Sequence, residues 1–335
     1  MIRSDESQAP SSQAQVLVAE DLEKSYGSRT ALRGLSFSLK AGHIMGFLGP
    51  NGAGKTTAIR ILTTIMEPSS GDFRVDGISS KHPDKIRRRI GALPESLGFP
   101  KHITGIEYLT FFGRLYGRTA TEARTNGLAL LEEMGLQQRA RSLIGTYSRG
   151  MRQRLGIARA LVNDPVVIFL DEPTLGLDPR GQQELLATIQ RIARERNAGV
   201  ILCSHLLSEI ERVCDDVIIL SSGQVVAVGP AAEVLGQAQQ DGIRIRVAPA
   251  SATEAQHILA ALPNIMKVIP TGEMTGWLRV ELARPADETA LEDDYVNNRI
   301  LEALIRAEIP ILTFEAKGSG RLQEVFLHLT EEAIK

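Results

Sequence analysis

The chain has 335 residues, of which 43% are hydrophobic and 23% are charged, and its formal net charge is −2. These values are typical of globular proteins, and they exclude the general positive field with which many proteins hold nucleic acid. The length allows two domains. The sequence contains no run of about 18 apolar residues, so no segment is predicted to span a bilayer, and any attachment to a membrane would be peripheral.

Neither the first residues nor the cysteines suggest secretion. The first 15 residues are polar and rich in Ser and Gln, so we expect a disordered lead that lacks the apolar core of a secretory signal. The two cysteines, Cys203 and Cys214, have no metal-ligand spacing and form no disulfide framework. We interpret them as small core residues of a protein in a reducing compartment.

From Val16 to about Gly229, short β-rich runs alternate with helical patterns, which is typical of an α/β layer around a largely parallel sheet. Between them, residues 103 to 134 carry a broad apolar face at helical spacing. This face predicts a helical subdomain inserted into the α/β core, over about residues 97 to 160. The clearest candidate strands are Ile44 to Leu48, Val166 to Leu170, Val200 to Cys203 and Val217 to Leu220.

A glycine-rich segment directly follows the first of these strands and precedes a helical run from Thr57 to Met66. The segment reads Gly49, Pro50, Asn51, Gly52, Ala53, Gly54, Lys55, Thr56 and Thr57. Glycines let successive backbone N–H groups surround phosphate oxygens, and the start of a helix adds the positive end of its dipole. The pattern predicts a nucleotide phosphate site in which Lys55 reaches the β and γ phosphates and Thr56 binds Mg²⁺, an arrangement that many nucleotide hydrolases share.

The apolar run from Val166 to Leu170 ends in two carboxylates, Asp171 and Glu172. A buried parallel strand delivers such residues to the carboxyl edge of the sheet, where ligands bind in α/β proteins. Two acids after a strand are more often a solvated strand end, but the phosphate loop upstream favours a catalytic role. Asp171 is predicted to hold Mg²⁺ and Glu172 to act as general base on the attacking water.

The segments between and after these elements resemble the ATP-binding cassette (ABC) family. Tyr147 to Leu155 resembles the family's signature motif, and Glu172 to Pro179 continues as its D-loop. His205 lies at the position of the switch histidine, and Tyr26 at the position of the aromatic residue that stacks on adenine. The resemblance covers residues 16 to 230 and implies a P-loop NTPase fold of the ABC type.

The resemblance also implies that ATP is bound between two copies of such a subunit. Ser148 and Gly150 would then bind ATP held by the partner, at the start of a helix predicted over Met151 to Leu161. His205 would contact the γ-phosphate. Taken alone, Ser148 would be an ordinary helix cap and His205 an ordinary residue at a strand end. The implied partners are a second nucleotide-binding subunit, interpreted as a homodimer, and a separate transmembrane permease subunit at the cytoplasmic face of the membrane.

Two residues depart from the commonest family pattern. Arg149 replaces the first glycine of the signature's glycine pair, and Glu95 stands where a glutamine usually contacts Mg²⁺ and water. A carboxylate at position 95 would bind the metal more strongly, or it would face solvent and only relay contact with the transporter. Both substitutions resemble those of exporters whose membrane partner is a separate chain, so we expect export rather than import.

After residue 240 the pattern reads β, α, β, β, α, β, which predicts a small α+β accessory domain of ferredoxin-like order over residues 241 to 335. An amphipathic helix from Arg321 to Ile334 would close it. The ATPase domain is accordingly assigned to residues 16 to 235. Dimerisation, regulation and ligand sensing all remain possible roles for the smaller domain.

One alternative from a different functional class stays open, namely a regulatory or assembly ATPase of the same family that acts on a protein or nucleic acid. The basic cluster of Lys85 and Arg87 to Arg89 fits nucleic acid in principle. A solvated helix face explains it better in a chain of nearly neutral charge, so no nucleic-acid partner is expected.

Overall fold

The structure is a computed structural model that describes residues 14–96, 98–204, 206–238, 243–263, 265–270, 276–282 and 290–315. It divides into two units, the first ending at Ala232 and the second beginning at Glu233. The predicted lead lies outside the described residues up to position 13, and so does the predicted helix from Arg321 to Ile334. No helix in the described ranges is long and apolar enough to cross a membrane.

The first unit contains two sheets. Its strands are β1 (Gln15–Tyr26), β2 (Arg29–Lys40), β3 (Ile44–Leu48), β4 (Ser70–Val75), β5 (Ile78–Ser79), β6 (Ile90–Leu93), β7 (Val167–Asp171), β8 (Gly199–Cys203), β9 (Asp216–Ser221) and β10 (Gln224–Pro230). The larger sheet has the order β10-β9-β3-β8-β7-β6, and the smaller has the order β2-β1-β4-β5.

The larger sheet is parallel from β9 to β6, as predicted, with β10 antiparallel at one edge. All residues of β3, β7 and β8 are buried, because helices or the second sheet cover both faces of such a sheet. Cys203 is buried within it and Cys214 is partly buried beside Gly46. Burial raises the pKa of both thiols, which agrees with their interpretation as small core residues.

The smaller sheet is antiparallel, and its strands alternate between buried and exposed residues. Leu22, Leu35 and Leu39 are fully buried on the face that packs with Phe47 and Phe169 of the larger sheet in one apolar cluster. Burial on one face only is the usual pattern for antiparallel strands. This sheet therefore forms a second layer over the central one.

The helices of the first unit are α1 (Lys55–Leu62), α2 (Pro83–Arg87), α3 (Gly105–Leu115), α4 (Ala120–Glu133), α5 (Arg149–Ala160), α6 (Pro179–Glu195), α7 (Leu207–Val213) and α8 (Ala231–Ala238), which runs into the second unit. The first of them ends four residues before the predicted Met66. Thr63 Oγ1 donates to the Ile59 carbonyl at 2.7 Å, and Thr64 has a φ of +60°, so the backbone leaves the helix there.

Two helices of the predicted insert begin with reciprocal caps. Thr104 and Glu107 form a capping box at the start of α3, and Thr119 and Glu122 form one at the start of α4. Each box satisfies two backbone groups that the helix leaves unpaired. The helices pack closely, because a Cβ on Gly127 would lie 3.2 Å from Leu109 Cβ. The insert is therefore a defined helical body.

The second unit contains β11 (Ile243–Val247), α9 (Ala252–Ala260), β12 (Ile265–Pro270), β13 (Trp277–Leu282), α10 (Ala290–Arg306) and β14 (Ile311–Glu315). Its sheet is antiparallel with the order β12-β13-β11-β14. This is the predicted βαββαβ sequence of elements. Alternate residues of the strands pack with the two helices in a core that includes Ile245, Val280, Leu259 and Leu304.

Candidate nucleotide-binding site

The glycine-rich segment forms a tight loop between β3 and α1. Gly54, which caps α1, has a φ of +106°, and a Cβ there would lie 2.6 Å from the Ala31 carbonyl oxygen. Gly52 also has a positive φ, of +84°, and a Cβ on Gly49 would collide with the backbone of Leu220. Because only glycine adopts these positions without strain, the loop holds its backbone N–H groups at the start of α1, in an arrangement suited to phosphate.

Lys55 lies inside the curve of this loop. The residue is only 8% exposed, and its Nζ donates to the carbonyl of Gly49 and, at 3.1 Å, to that of Pro50. The ammonium group adds a full positive charge to the dipoles of the loop and of the helix start. The next residue, Thr56, is exposed, and Thr57 is half-buried. Ala53 is buried and anchors the loop to Gly223 by a backbone hydrogen bond of 3.0 Å.

Three carboxylates and Lys55 lie at the carboxyl edge of the parallel sheet, close enough for their charges to affect one another. Asp171 ends β7, Glu172 follows it, and Glu95 lies two residues beyond β6, the strand next to β7. Burial, and then the charges of Glu172 and Glu95, raise the pKa of Asp171 to about 6 although the charge of Lys55 acts to lower it. Carboxylates close enough to repel one another favour a cation between them.

The described residues do not form a metal site from protein carboxylates alone. In the described ranges, no three His, Cys, Asp or Glu side chains come together as a metal site. Mg²⁺ usually keeps several water ligands and takes only one or two carboxylates together with phosphate oxygens. The residues present therefore fit a Mg²⁺ ion that arrives with a nucleotide.

The backbone of Glu172 is in the left-handed region, with a φ of +49°. Its N–H donates to the Cys203 carbonyl at 3.0 Å, which extends the pairing of β7 with β8 by one residue. Its carbonyl accepts a hydrogen bond of 3.5 Å from Nε2 of Gln153 on α5. Such a conformation costs about 1–3 kcal/mol in a non-glycine residue and recurs at functional sites. The hydrogen bonds with Cys203 and Gln153 hold Glu172 in this conformation.

The signature segment starts α5. Ser148 is exposed and caps the helix, accepting a hydrogen bond of 3.2 Å from the Met151 N–H. Helix α5 begins two residues earlier than predicted, at Arg149, so Gly150 lies in its first turn. A Cβ on Gly150 would lie 3.5 Å from Leu177. The exposed start of α5 thus lies against the loop that follows Glu172, and it has no acidic residue in its first turn.

Tyr26 lies at the end of β1, opposite Arg29 in the hairpin to β2. Its ring is 46% exposed, and its hydroxyl donates to the Met66 sulfur at 2.9 Å. Arg29 approaches the phosphate loop, because a Cβ on Gly52 would lie 3.9 Å from its Nη2. The hairpin therefore presents an open aromatic ring near the loop.

His205 lies outside the described residues. Its neighbours do not, and Ser204 Oγ donates to Glu209 at 2.7 Å while accepting from the Leu206 N–H at 3.0 Å. The site also includes a residue that sequence reasoning missed, the buried Gln153. The sequence signal that could have identified Gln153 is its position as a polar residue on the apolar side of a helix, because a buried polar side chain needs a hydrogen-bond partner.

A second feature connects this edge of the sheet to the surface of the helical insert. Arg159 of α5 donates to the Ala92 carbonyl at 2.8 Å and to the Tyr108 hydroxyl at 3.4 Å. Its guanidinium also lies 5.6 Å from the centroid of the Phe112 ring. That ring contacts Phe111, which is 56% exposed, and Leu115 on the same helix is 64% exposed.

Comparisons with known proteins agree with this geometry. The ABC transporter family profile matches residues 32–175, which include the phosphate loop and the two carboxylates after β7. The chain is 32% identical over 321 residues to the linearmycin resistance ATP-binding protein LnrL of Bacillus subtilis, covering 96% of this chain and all of that protein. It is 35% identical over 315 residues to the daunorubicin/doxorubicin resistance ATP-binding protein DrrA of Streptomyces peucetius, covering 92% and 90% respectively.

Among solved structures, the dimeric structure of a bacterial ABC transporter cassette, MJ0796, has a TM-score of 0.59 at 25% identity, covering 64% of this chain and 98% of that one. The alignments with the two resistance proteins extend over nearly the whole chain, and the profile spans the phosphate loop, Ser148 and the two carboxylates. This chain therefore belongs to the ABC transporter family, as one of its ATP-binding subunits that hydrolyse ATP.

Proposed function

We propose that this chain drives an exporter of antibiotic-like compounds, by binding MgATP between two copies of itself and acting on a separate transmembrane subunit from the cytoplasmic face of the membrane. Support for export comes from its relatives, two of which are named for resistance to linearmycin and to daunorubicin and doxorubicin. The dimer is supported by the solved cassette that is dimeric.

The observation that carries the proposal is the division of the site into two halves. Lys55, Asp171 and Glu172 meet at one edge of the sheet beside the phosphate loop. Ser148 caps a different helix, whose exposed N-terminus is a second place suited to an anion. One chain thus offers a phosphate site and a separate cap, and two chains facing each other would complete two sites.

Each residue then has a distinct role. The loop from Gly49 to Gly54 and Lys55 hold the phosphates, and Glu172 accepts a proton from the attacking water. Tyr26 stacks on adenine, and His205 contacts the γ-phosphate. The partner's copy of the signature segment, with Ser148 and Gly150, covers the nucleotide from the other side.

Mg²⁺ would be held by Thr56, Asp171 and Glu95, directly or through water. It supplies positive charge that offsets the developing charge on the phosphate oxygens. The raised pKa of Asp171 supports this assignment, because burial and then the charges of Glu172 and Glu95 disfavour its ionised form, which a bound cation would stabilise.

The helical insert is the surface on which we place the transmembrane subunit. Exposed Phe111 and Leu115 form an apolar patch on α3, and such patches mark interaction sites. Through Phe112 and Arg159, this patch connects to the end of β6, three residues before Glu95. A change at the γ-phosphate would then reach the patch as movement of a packed helical body.

The domain assignment belongs to the same proposal. Residues 16–235 form the ATPase domain, and residues 241–335 form an accessory domain that serves dimerisation or regulation. The ferredoxin-like order of the second unit supports a self-contained module with its own core.

Replacing Glu172 with Gln tests the proposal. The variant keeps the size and hydrogen-bonding capacity of the side chain but cannot accept a proton, so turnover should fall at least about 100-fold while ATP binding persists. Light scattering after gel filtration should show a dimer with MgATP and a monomer without it. Glu132→Gln, at an exposed position on α4, is the matched control.

Two results would contradict the proposal. A Glu172→Gln variant that stays monomeric with saturating MgATP would refute the shared site. A chain that remains in the soluble fraction when it is co-expressed with the membrane protein encoded beside it would refute coupling to transport, and would favour a regulatory or assembly ATPase.

A further inference from the structure

Arg149 lies directly over Gly176, in the loop between Glu172 and α6. A Cβ on Gly176 would lie 2.6 Å from Arg149 Nε and 2.7 Å from its Nη1, so a larger residue at position 176 would displace the guanidinium. Gly176 also has a φ of +73°, a conformation that favours glycine. Arg149, which stands where the family usually has glycine, therefore packs against a glycine in the loop that follows Glu172.

Stability of the helix alone does not account for Arg149. The residue is the first of α5, where the positive end of the helix dipole disfavours a positive charge. In the part of the chain that the structure describes, its guanidinium forms no ion pair with a carboxylate at 4.0 Å or less. Its contact is with the backbone of the loop, so its role lies in what that contact holds in place.

Other contacts tie α5 to the same stretch of chain, residues 172–184. Gln153 Nε2 donates to the Glu172 carbonyl at 3.5 Å, and Gly150 faces Leu177. One turn further along, Arg154 pairs with Glu184 of α6 at 2.8 Å. The contact of Arg149 is the one nearest to Ser148, at the exposed start of the helix.

We propose that Arg149 is a positioning residue that holds the loop of Gly176 in register with Ser148, and thereby couples the partner's nucleotide to Glu172 in this subunit's own site. The inference rests on the proposed function, in which Ser148 serves the partner's ATP and Glu172 serves the subunit's own. Movement of Ser148 on closing around the partner's phosphates then moves the loop that begins at Glu172. Misplacement of a catalytic group by about 1 Å costs up to about 100-fold in rate.

The full-length chain with Arg149→Ala and with Arg149→Lys tests this inference. Removing the guanidinium leaves the phosphate loop and the Ser148 cap in place, so affinity for ATP should stay within about twofold while kcat falls about 10-fold or more. The Hill coefficient for ATP should fall towards 1, because the two sites no longer act together. The Arg149→Lys variant should show the same two losses, because an ammonium group cannot cover Gly176 as a planar guanidinium does.

Two further measurements separate the outcomes. Arg124→Ala, at an exposed position on α4 outside the signature segment, removes the same charge and should retain the parent's kcat and Hill coefficient. In a Glu172→Gln background, Arg149→Ala should still form the dimer with MgATP. Loss of that dimer would show that Arg149 binds the partner's phosphates instead of positioning the loop, and an unchanged kcat and Hill coefficient would show that it does neither. Failure of Glu172→Gln alone to dimerise would refute the proposed function itself.

Discussion

Arg159 donates a hydrogen bond from Nη2 to the backbone carbonyl of Ala92, over 2.8 Å. This bond ties the helix that begins at the signature segment to the strand that leads to Glu95. The same guanidinium contacts Tyr108 and Phe112 on α3. One side chain therefore joins three elements that the proposed mechanism requires to move together.

Removing this side chain should weaken both the fold and the coupling. Arg159→Ala leaves the Ala92 carbonyl without its donor, and hydrogen bonds from charged groups contribute about 1.5–3 kcal/mol. We expect the free energy of unfolding to fall by about that amount in urea titration. Arg114→Ala, at an exposed position on α3, is the control, and equal losses in the two variants would show that Arg159 has no special role.

Lys55 is expected to act on binding of nucleotide more than on folding. Hydrogen bonds to the carbonyls of Gly49 and Pro50 place its positively charged Nζ inside the loop. Lys55→Ala should weaken MgATP binding about 100-fold, or ~2.7 kcal/mol. Fluorescence titration with a labelled nucleotide measures this loss, and thermal unfolding of the same sample checks the fold. Affinity equal to that of the parent chain would contradict the phosphate-loop assignment.

Protonation of Asp171 is expected to set the pH dependence of Mg²⁺ binding. Burial, followed by the charges of Glu172 and Glu95, raises the pKa of this carboxyl to about 6 from an ordinary value of 3.8. The nucleotide-free site therefore holds a proton on Asp171 below about pH 6, and a metal ligand must lose it. We expect MgATP affinity to fall as the pH drops through 6, with proton release on binding.

Calorimetry at pH 6 in two buffers of different ionisation enthalpy measures that release. Asp171→Asn carries no titrating group, so its binding should release fewer protons and its affinity should vary less between pH 5 and pH 7. Equal proton release by both proteins would place the titration on another group.

Several elements of the fold were predictable because their sequence patterns are local. The strands β3, β8 and β9 are short apolar runs bounded by turn residues, and the predicted bounds differ from the observed ones by at most one residue. Asp171 pairs with Cys203 and is therefore the last residue of β7. The sequence pattern had placed this carboxylate just beyond the end of the strand. The glycine loop was equally clear, since its positions require glycine.

Other features depend on contacts between distant residues. The antiparallel sheet of β1, β2 and β4 was not predicted in detail, because exposed charged residues interrupt its strands and their partners lie far along the chain. The contact of Arg149 with Gly176 has no local pattern either. The sequence showed only that an arginine replaced a glycine, and the structure supplied the second residue.

The exposed patch of Phe111 and Leu115 leads to a last prediction. Their side chains are 56% and 64% exposed on consecutive turns of α3, so replacing both with Ser changes little of the core. Loss of the contact between Phe111 and Phe112 should cost about 0.5–1.5 kcal/mol, and basal ATPase activity should persist. Association with a co-expressed membrane subunit, measured by affinity capture in detergent, should be lost, because burial of both side chains provides the apolar part of the interface.

Leu128→Ser, at an exposed apolar position on α4, should leave capture intact. Normal capture of the double variant would remove this patch from the interface, whereas equal loss with Leu128→Ser would assign the effect to the insert as a whole.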